Sequence, residues 1–174
     1  MNSLKVIAII LILVILSCCA MLYPRPRTPL QFAEGELGVS SWDETSRANP
    51  DIVKYIHPFV NNKSQEELIE IANNRSCGYF LAWCLKQAGY RYPEDPESIN
   101  DWHDIGPIVD IPQPGDVEVE FGHVSFFEKD IDNITGMFIG GDQILGGWGI
   151  PASVCKFEWY KDEPFYYVRP EKEN

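Results

Sequence analysis

Three side chains in this sequence have the type and the setting for nucleophilic acyl chemistry: Cys77, His123 and Asp142. Cys77 follows the polar stretch Asn73-Asn74-Arg75-Ser76 and opens an apolar run from Gly78 to Leu85. That setting predicts a helix start, where partial positive charge and unsatisfied backbone N–H groups favour a thiolate and can hold an oxyanion. Gly78 beside it would let a substrate backbone come close. His123, after Gly122 and ahead of Val124-Ser125-Phe126-Phe127, stands at the head of an apolar strand, where it could serve as the base. Asp142, in Gly140-Gly141-Asp142-Gln143, is the candidate for the third group, which holds the imidazole. Each has a plainer alternative: a small buried thiol, a core histidine and a turn aspartate.

Other chemistries fit less well. There are 3 histidines (His57, His103 and His123) and no H-E-x-x-H or paired C-x-x-C spacing, so no metal is expected. Lys and Arg number 14 against 26 Asp and Glu, a net charge of -12, which argues against nucleic acid as a partner. A G-x-x-x-x-G-K-[ST] phosphate loop is also missing, and the proposed chemistry needs no cofactor. Cys77 and Cys84 would lie two turns apart on one helix, roughly 10 Å, too far to bridge. A Cys84–Cys155 pair in an oxidising compartment stays open.

Several elements must position these groups. Residues 1–23 form a leader, with Lys5 before an unbroken apolar run from Val6 to Leu16. Two readings compete for it: a lipoprotein signal with Cys18 as the lipidated residue in Ile15-Leu16-Ser17-Cys18, or an uncleaved membrane anchor over Val6 to Tyr23. Residues 24–28, rich in Pro and Arg, read as a stiff spacer. One domain follows over 29–170, with 171–174 as a tail. Thr28 is placed to cap a short helix running toward Leu37, with Gly38 as its stop. Asn49-Pro50 starts a second helix, and Ser64 with Glu67 makes a capping box for a third. The helix from Ser76 to Gly89, apolar nearly all round, should be the buried central one. Asp116-Val-Glu-Val-Glu alternates as a half-buried strand does. The segments at His123, Met137, Val154 and Phe165 predict four more strands. Helices first and antiparallel strands afterwards is an α+β pattern. Trp42, Trp102 and Trp148 are candidate aromatic contacts for a ligand, Trp148 on the glycine-rich loop Gly146-Gly147-Trp148-Gly149.

Taken in order, Cys77-Gly78-x-Phe80-x-x-Trp83-Cys84, Ala88-Gly89, Pro114-Gly115-Asp116-Val117, Gly122-His123-Val124, Gly140-Gly141-Asp142-Gln143 and Tyr167-x-Arg169-Pro170 resemble the CHAP-type branch of the papain-like cysteine amidases, in a bacterial and phage subgroup. The resemblance covers Thr28 to Pro170. It implies a papain-like α+β fold and hydrolysis of peptidoglycan amide bonds. Cys77 would be the nucleophile, His123 the general base and Asp142 the third residue. Ser76, Gly78, Gln143 and Trp148 would border the substrate. The chain departs from the family by Ser76 where tryptophan is usual, by Asp142 where asparagine is usual, and by a short segment before His123. The implied protein is a cysteine amidohydrolase tethered to the bacterial envelope and facing outward. A degenerate, non-catalytic module binding wall peptide or a partner protein is the alternative.

Overall fold

The computed structural model describes residue 12 and residues 26–40, 50–74, 76–143, 153–161 and 164–173. The side chains of Pro50, Gln65, Asn73, Asn74, Asp142 and Gln143 lie outside that description.

Helix α1 (Pro29–Gly35) starts where the sequence marks a cap. The Thr28 hydroxyl accepts from the Gln31 N–H at 3.2 Å, and the Gln31 side chain accepts from the Thr28 N–H at 3.0 Å. It stops before Leu37. Gly38 takes a positive φ of 89° and gives its N–H to Val154 at 2.9 Å, tying the helix exit to the sheet. Helix α2 (Pro50–Ile56) follows, and then α3 (Gln65–Asn74). The Ser64–Glu67 capping box forms at the start of α3, with the Ser64 N–H donating to the Glu67 carboxylate at 2.8 Å. Helix α4 (Ser76–Gln87) is central as expected, with Phe80, Leu81, Ala82, Cys84 and Leu85 buried. The ring of Tyr55 on α2 meets those of Phe80 and Trp83 at 5.1 and 5.2 Å. A 3-10 helix (Ile99–Ile105) leads into the sheet.

Six strands form one open antiparallel sheet in the order β1-β6-β2-β3-β4-β5. Their ranges are β1 (Ile108–Val109), β2 (Val117–Glu120), β3 (His123–Asp130), β4 (Thr135–Gln143), β5 (Ser153–Tyr160) and β6 (Tyr166–Val168). The chain is therefore an α+β protein, with N-terminal helices packed against an antiparallel sheet. Val117, Val119, Val124, Phe126 and Ile139 join the helices in the main core. Gly141 lets α4 lie close on β4, since a Cβ there would stand 3.0 Å from the Phe80 Cβ.

The expected half-exposed β2 is wrong. Val117, Glu118 and Val119 are all buried, and Glu118 is 0% exposed. A second apolar cluster of Phe127, Phe138 and Tyr167 lies apart from the main core, and Tyr167 is paired with Glu118 across β2 and β6. The Glu118 carboxylate accepts a short hydrogen bond from Ser125. Asp116 and Arg169, from two separate sequence motifs, meet in a two-pronged ion pair with N–O distances of 3.0 and 2.8 Å. Residues 171–173 of the tail lie along the domain: the Arg91 N–H donates to the Glu171 carbonyl at 2.8 Å, and the Glu173 N–H donates to the Gly89 carbonyl at 3.1 Å. Among the described residues no helix is long and apolar enough to cross a membrane. The leader, Ile12 apart, lies outside them, and so does Cys18.

Candidate active site

A cleft of about 300 Å³ opens at one end of the sheet and brings Cys77 and His123 into a single lining. Helix α4 contributes Cys77 and Gly78 from its first turn. Across from it the β2–β3 hairpin contributes Gly122, His123 and Val124. The remaining wall is Pro96, Glu97, Ile99 and Trp102, from the chain that links α4 to the sheet. Because α4 starts at Ser76, its first N–H groups have no carbonyl to meet within their own helix, as the run after Ser76 predicts. The hairpin is tight because Phe121-Gly122 is a two-residue turn, and Gly122 supplies a positive φ of 78° that other residues rarely adopt.

The cysteines differ in kind. Cys77 is half-buried at the cleft, Cys84 is fully buried and Cys155 is half-buried on β5. None of the three forms a disulfide among the described residues, so Cys84 and Cys155 are not bridged. Burial pushes the Cys84 thiol well above its ordinary range, and the charge of Glu36 adds to that. Burial also raises Cys155.

His123 is half-buried, and removal from water lowers its imidazole from 6.5 to about 4. Near neutrality it is uncharged, the form in which a base can take a proton. Strand alternation sets it on the face of Ser125 and Phe127, opposite Val124 and Phe126, which meet the helices. Its ring lies edge-on to Phe157 with centroids 6.1 Å apart. His123 therefore joins the cleft from the end of the sheet. One acidic position flanks it in register: Glu120 is its direct partner across the β2–β3 turn. On the other side β4 pairs with β3 as far as Phe126–Ile139, and its register with β5 shifts between Gly140 and Gln143, the stretch that holds Asp142.

The remaining expected residues fall in different places. Asp142 and Gln143 end β4, with their side chains outside the described residues, as is the whole of Trp148. Trp42 is outside them as well. Ser76 is 1% exposed and lies behind the cleft, with its hydroxyl unpaired among the described residues. Gly78 does permit a close backbone approach, but the approaching backbone is the protein's own. A Cβ at Gly78 would stand 2.0 Å from the Pro96 carbonyl oxygen. Trp102, expected as a ligand contact, backs the cleft from the core: it is 1% exposed, and its indole N–H donates to the Pro96 carbonyl at 3.4 Å. Among the described residues no group of three or more His, Cys, Asp or Glu could hold a metal.

Sequence reasoning missed Glu97. Asp95-Pro96-Glu97-Ser98 reads as an ordinary polar turn, and only the fold carries it to the cleft beside Cys77. The Glu97 carboxylate accepts from the hydroxyl of buried Tyr79, on α4, at 3.0 Å. Glu120 was passed over for the same reason, having been read as the solvent side of a strand. In comparisons with known proteins no family model, no curated protein and no solved structure matches this chain.

Proposed function

We propose that the chain is a cysteine amidohydrolase of papain-like, CHAP-type design that cleaves amide bonds in peptidoglycan stem peptides. It would be held at the outer face of the bacterial membrane by its leader. The observation that carries this reading is the meeting of Cys77, in the first turn of α4, with His123, at the first residue of β3, in one cleft. Neutral His123 takes the proton of Cys77, and the thiolate attacks the carbonyl carbon. N–H groups at the start of α4 hold the oxyanion. The imidazolium then protonates the leaving amine, and water, activated by the same imidazole, releases the acyl group from sulfur. Asp142 or Glu120, one on each strand beside His123, orients the ring.

One observation favours the second reading, a binding module that has lost turnover. The His123 ring rests against Phe157, on the face of β3 away from the helices. Incubation of full-length protein with purified peptidoglycan, followed by mass spectrometry of newly exposed amines, separates the two. Turnover lost in Cys77→Ala and in His123→Ala is the expected result. Binding of wall peptide without any new amine, in wild type as in both variants, would establish the binding module instead.

A further inference from the structure

We propose that the end of the sheet remote from the cleft is a membrane-docking surface, which lies on the lipid bilayer and points the cleft away from it. The inference rests on the leader being a membrane tether, and not on the amidohydrolase chemistry.

Strands β2 and β3 fix which end is which. Glu120 and His123 pair at the cleft, and the other end of β3 is Asp130, opposite Gly136 at the start of β4. Large apolar side chains stand exposed around that remote end. Ile111 is 79% exposed and Ile134 60%, and Ile131, Trp159 and Tyr160 are exposed as well. Strand register puts Tyr160 beside Thr135 and Trp159 beside Gly136. Ile111, Pro112 and Ile134 line one hollow together with Asp130 and Lys161. Aliphatic side chains next to an amphipathic Trp and Tyr suit a surface that sits at the headgroup level of a bilayer.

The β3–β4 loop, which carries Ile131 and Ile134, is braced. Ile131 and Asp132 both give their N–H to the Thr135 carbonyl, at 3.0 and 3.2 Å. The Asp132 carboxylate accepts from the Ile134 and Thr135 N–H groups at 2.9 and 2.7 Å. Lys161 lies 2.6 Å from the Asp130 carboxylate and 2.7 Å from the Asp132 carbonyl. Apolar groups on so fixed a loop lose little freedom on docking.

The point where the chain enters the domain says that lipid covers this end. Leu30, in the first turn of α1, lies beside Gly115, where a Cβ would stand 4.0 Å from the Leu30 Cβ. Gly115 lies between Pro112 and the start of β2, at the remote end. The spacer, residues 24–28, reaches at most roughly 18 Å, so an anchor ending at Tyr23 brings the bilayer to this end. Lipid on Cys18 instead lengthens the reach to roughly 35 Å and leaves the same end the nearer. Tethering keeps the effective concentration of lipid high, so a few inserted side chains suffice. The net charge of -12 sets a limit: an anionic surface repels the domain, and docking is to a zwitterionic one. The cleft then stands about one strand length, roughly 25 Å, off the bilayer and out of reach of the headgroups.

The test uses full-length protein in phosphatidylcholine vesicles that contain a phosphatidylcholine with a photoactivatable carbene precursor near its glycerol. Labelled peptides are read by mass spectrometry. Labels should fall on the leader, on Ile131 to Ile134 and on Trp159-Tyr160. They should spare Phe121 and Phe165, the exposed aromatics at the cleft end. Ile111→Ser combined with Ile134→Ser should leave thermal unfolding unchanged and cut the Trp159-Tyr160 label about fivefold, with the leader label kept. Added phosphatidylglycerol should weaken the remote-end labels; labels that rise with it would make charge the attachment and overturn the proposal. Labels on the leader alone would overturn the docking surface while the tether stands. So would labels on Phe121 and Phe165, which turn the cleft toward the bilayer. Vesicles that float free of unlabelled protein would overturn tether and docking together.

Discussion

His123 offers the most direct measurement of the site, because its burial ties protonation to folding. Its imidazole is moved from 6.5 to about 4 by loss of water. Above pH 6.5 the ring is neutral in both the folded and the unfolded chain, and stability is at its full value. Between 6.5 and about 4 the unfolded chain binds a proton that the folded one refuses, so stability is lost as pH falls. Complete exclusion of water would make that loss roughly 3 kcal/mol, and a half-buried ring reduces it to about 1–2 kcal/mol. The perturbation is His123→Gln, compared with wild type by urea unfolding at a series of pH values from neutral down to about 4. Carboxylates titrate in both proteins, so the difference between the two pH slopes isolates the histidine. The wild-type curve should fall more steeply by about 1–2 kcal/mol over that interval. Ring carbon and proton shifts should place the His123 midpoint well below 6.5, with His57 and His103, both exposed, assigned by substitution. A midpoint at or above 6.5 would refute the reasoning. It would mean that a carboxylate, from Glu120 or Asp142, outweighs desolvation and that the resting site is an ion pair.

Four further outcomes follow from the packing. Gly78→Ala forces a Cβ to within 2.0 Å of the Pro96 oxygen and should cost about 2–3 kcal/mol, read by thermal or urea unfolding. Cys84→Ala opens a small cavity and should cost about 1–2 kcal/mol while leaving turnover per folded molecule intact, whereas native Cys84 should resist iodoacetamide that labels Cys77. Asp116→Ala removes the buried partner of Arg169 and should cost about 2 kcal/mol, with Asp116→Asn recovering part of it through the Gln113 N–H. Asp142→Asn and Glu120→Gln should part company in a pH–rate profile: the one that orients His123 slows turnover by about tenfold and lowers the acidic limb, and the other leaves both unchanged.

Local signals were legible in the sequence and long-range ones were not. Thr28 and Ser64 announced their helices because a cap is decided within three residues, and both side chains make the expected bonds. Cys77 at the start of α4 was legible for the same reason, as was the strand beginning at His123. Glu118 misled because alternation predicts a wet face only when nothing covers it, and its neighbour Tyr167 lies far along the chain. Strand β1 is two residues long and gains meaning only through β6. Gly78 and Trp102 do line the cleft, but the Pro96 carbonyl that both of them meet is brought there by the fold and was not legible.

The two sides of the cleft are built with unequal stiffness. On the Pro96 side the backbone is pinned between Gly78 and the Trp102 indole, so that wall is an anvil whose spacing from Cys77 cannot change without moving the helix. The hairpin side is open only at its tip: a side chain at Gly122 would meet nothing within 4 Å and Phe121 is 90% exposed, while His123 beside them rests against Phe157 and Val124 is buried. Ligands of different girth would therefore be accommodated at the Phe121–Gly122 tip, between a nucleophile and a base that both stay where the core holds them.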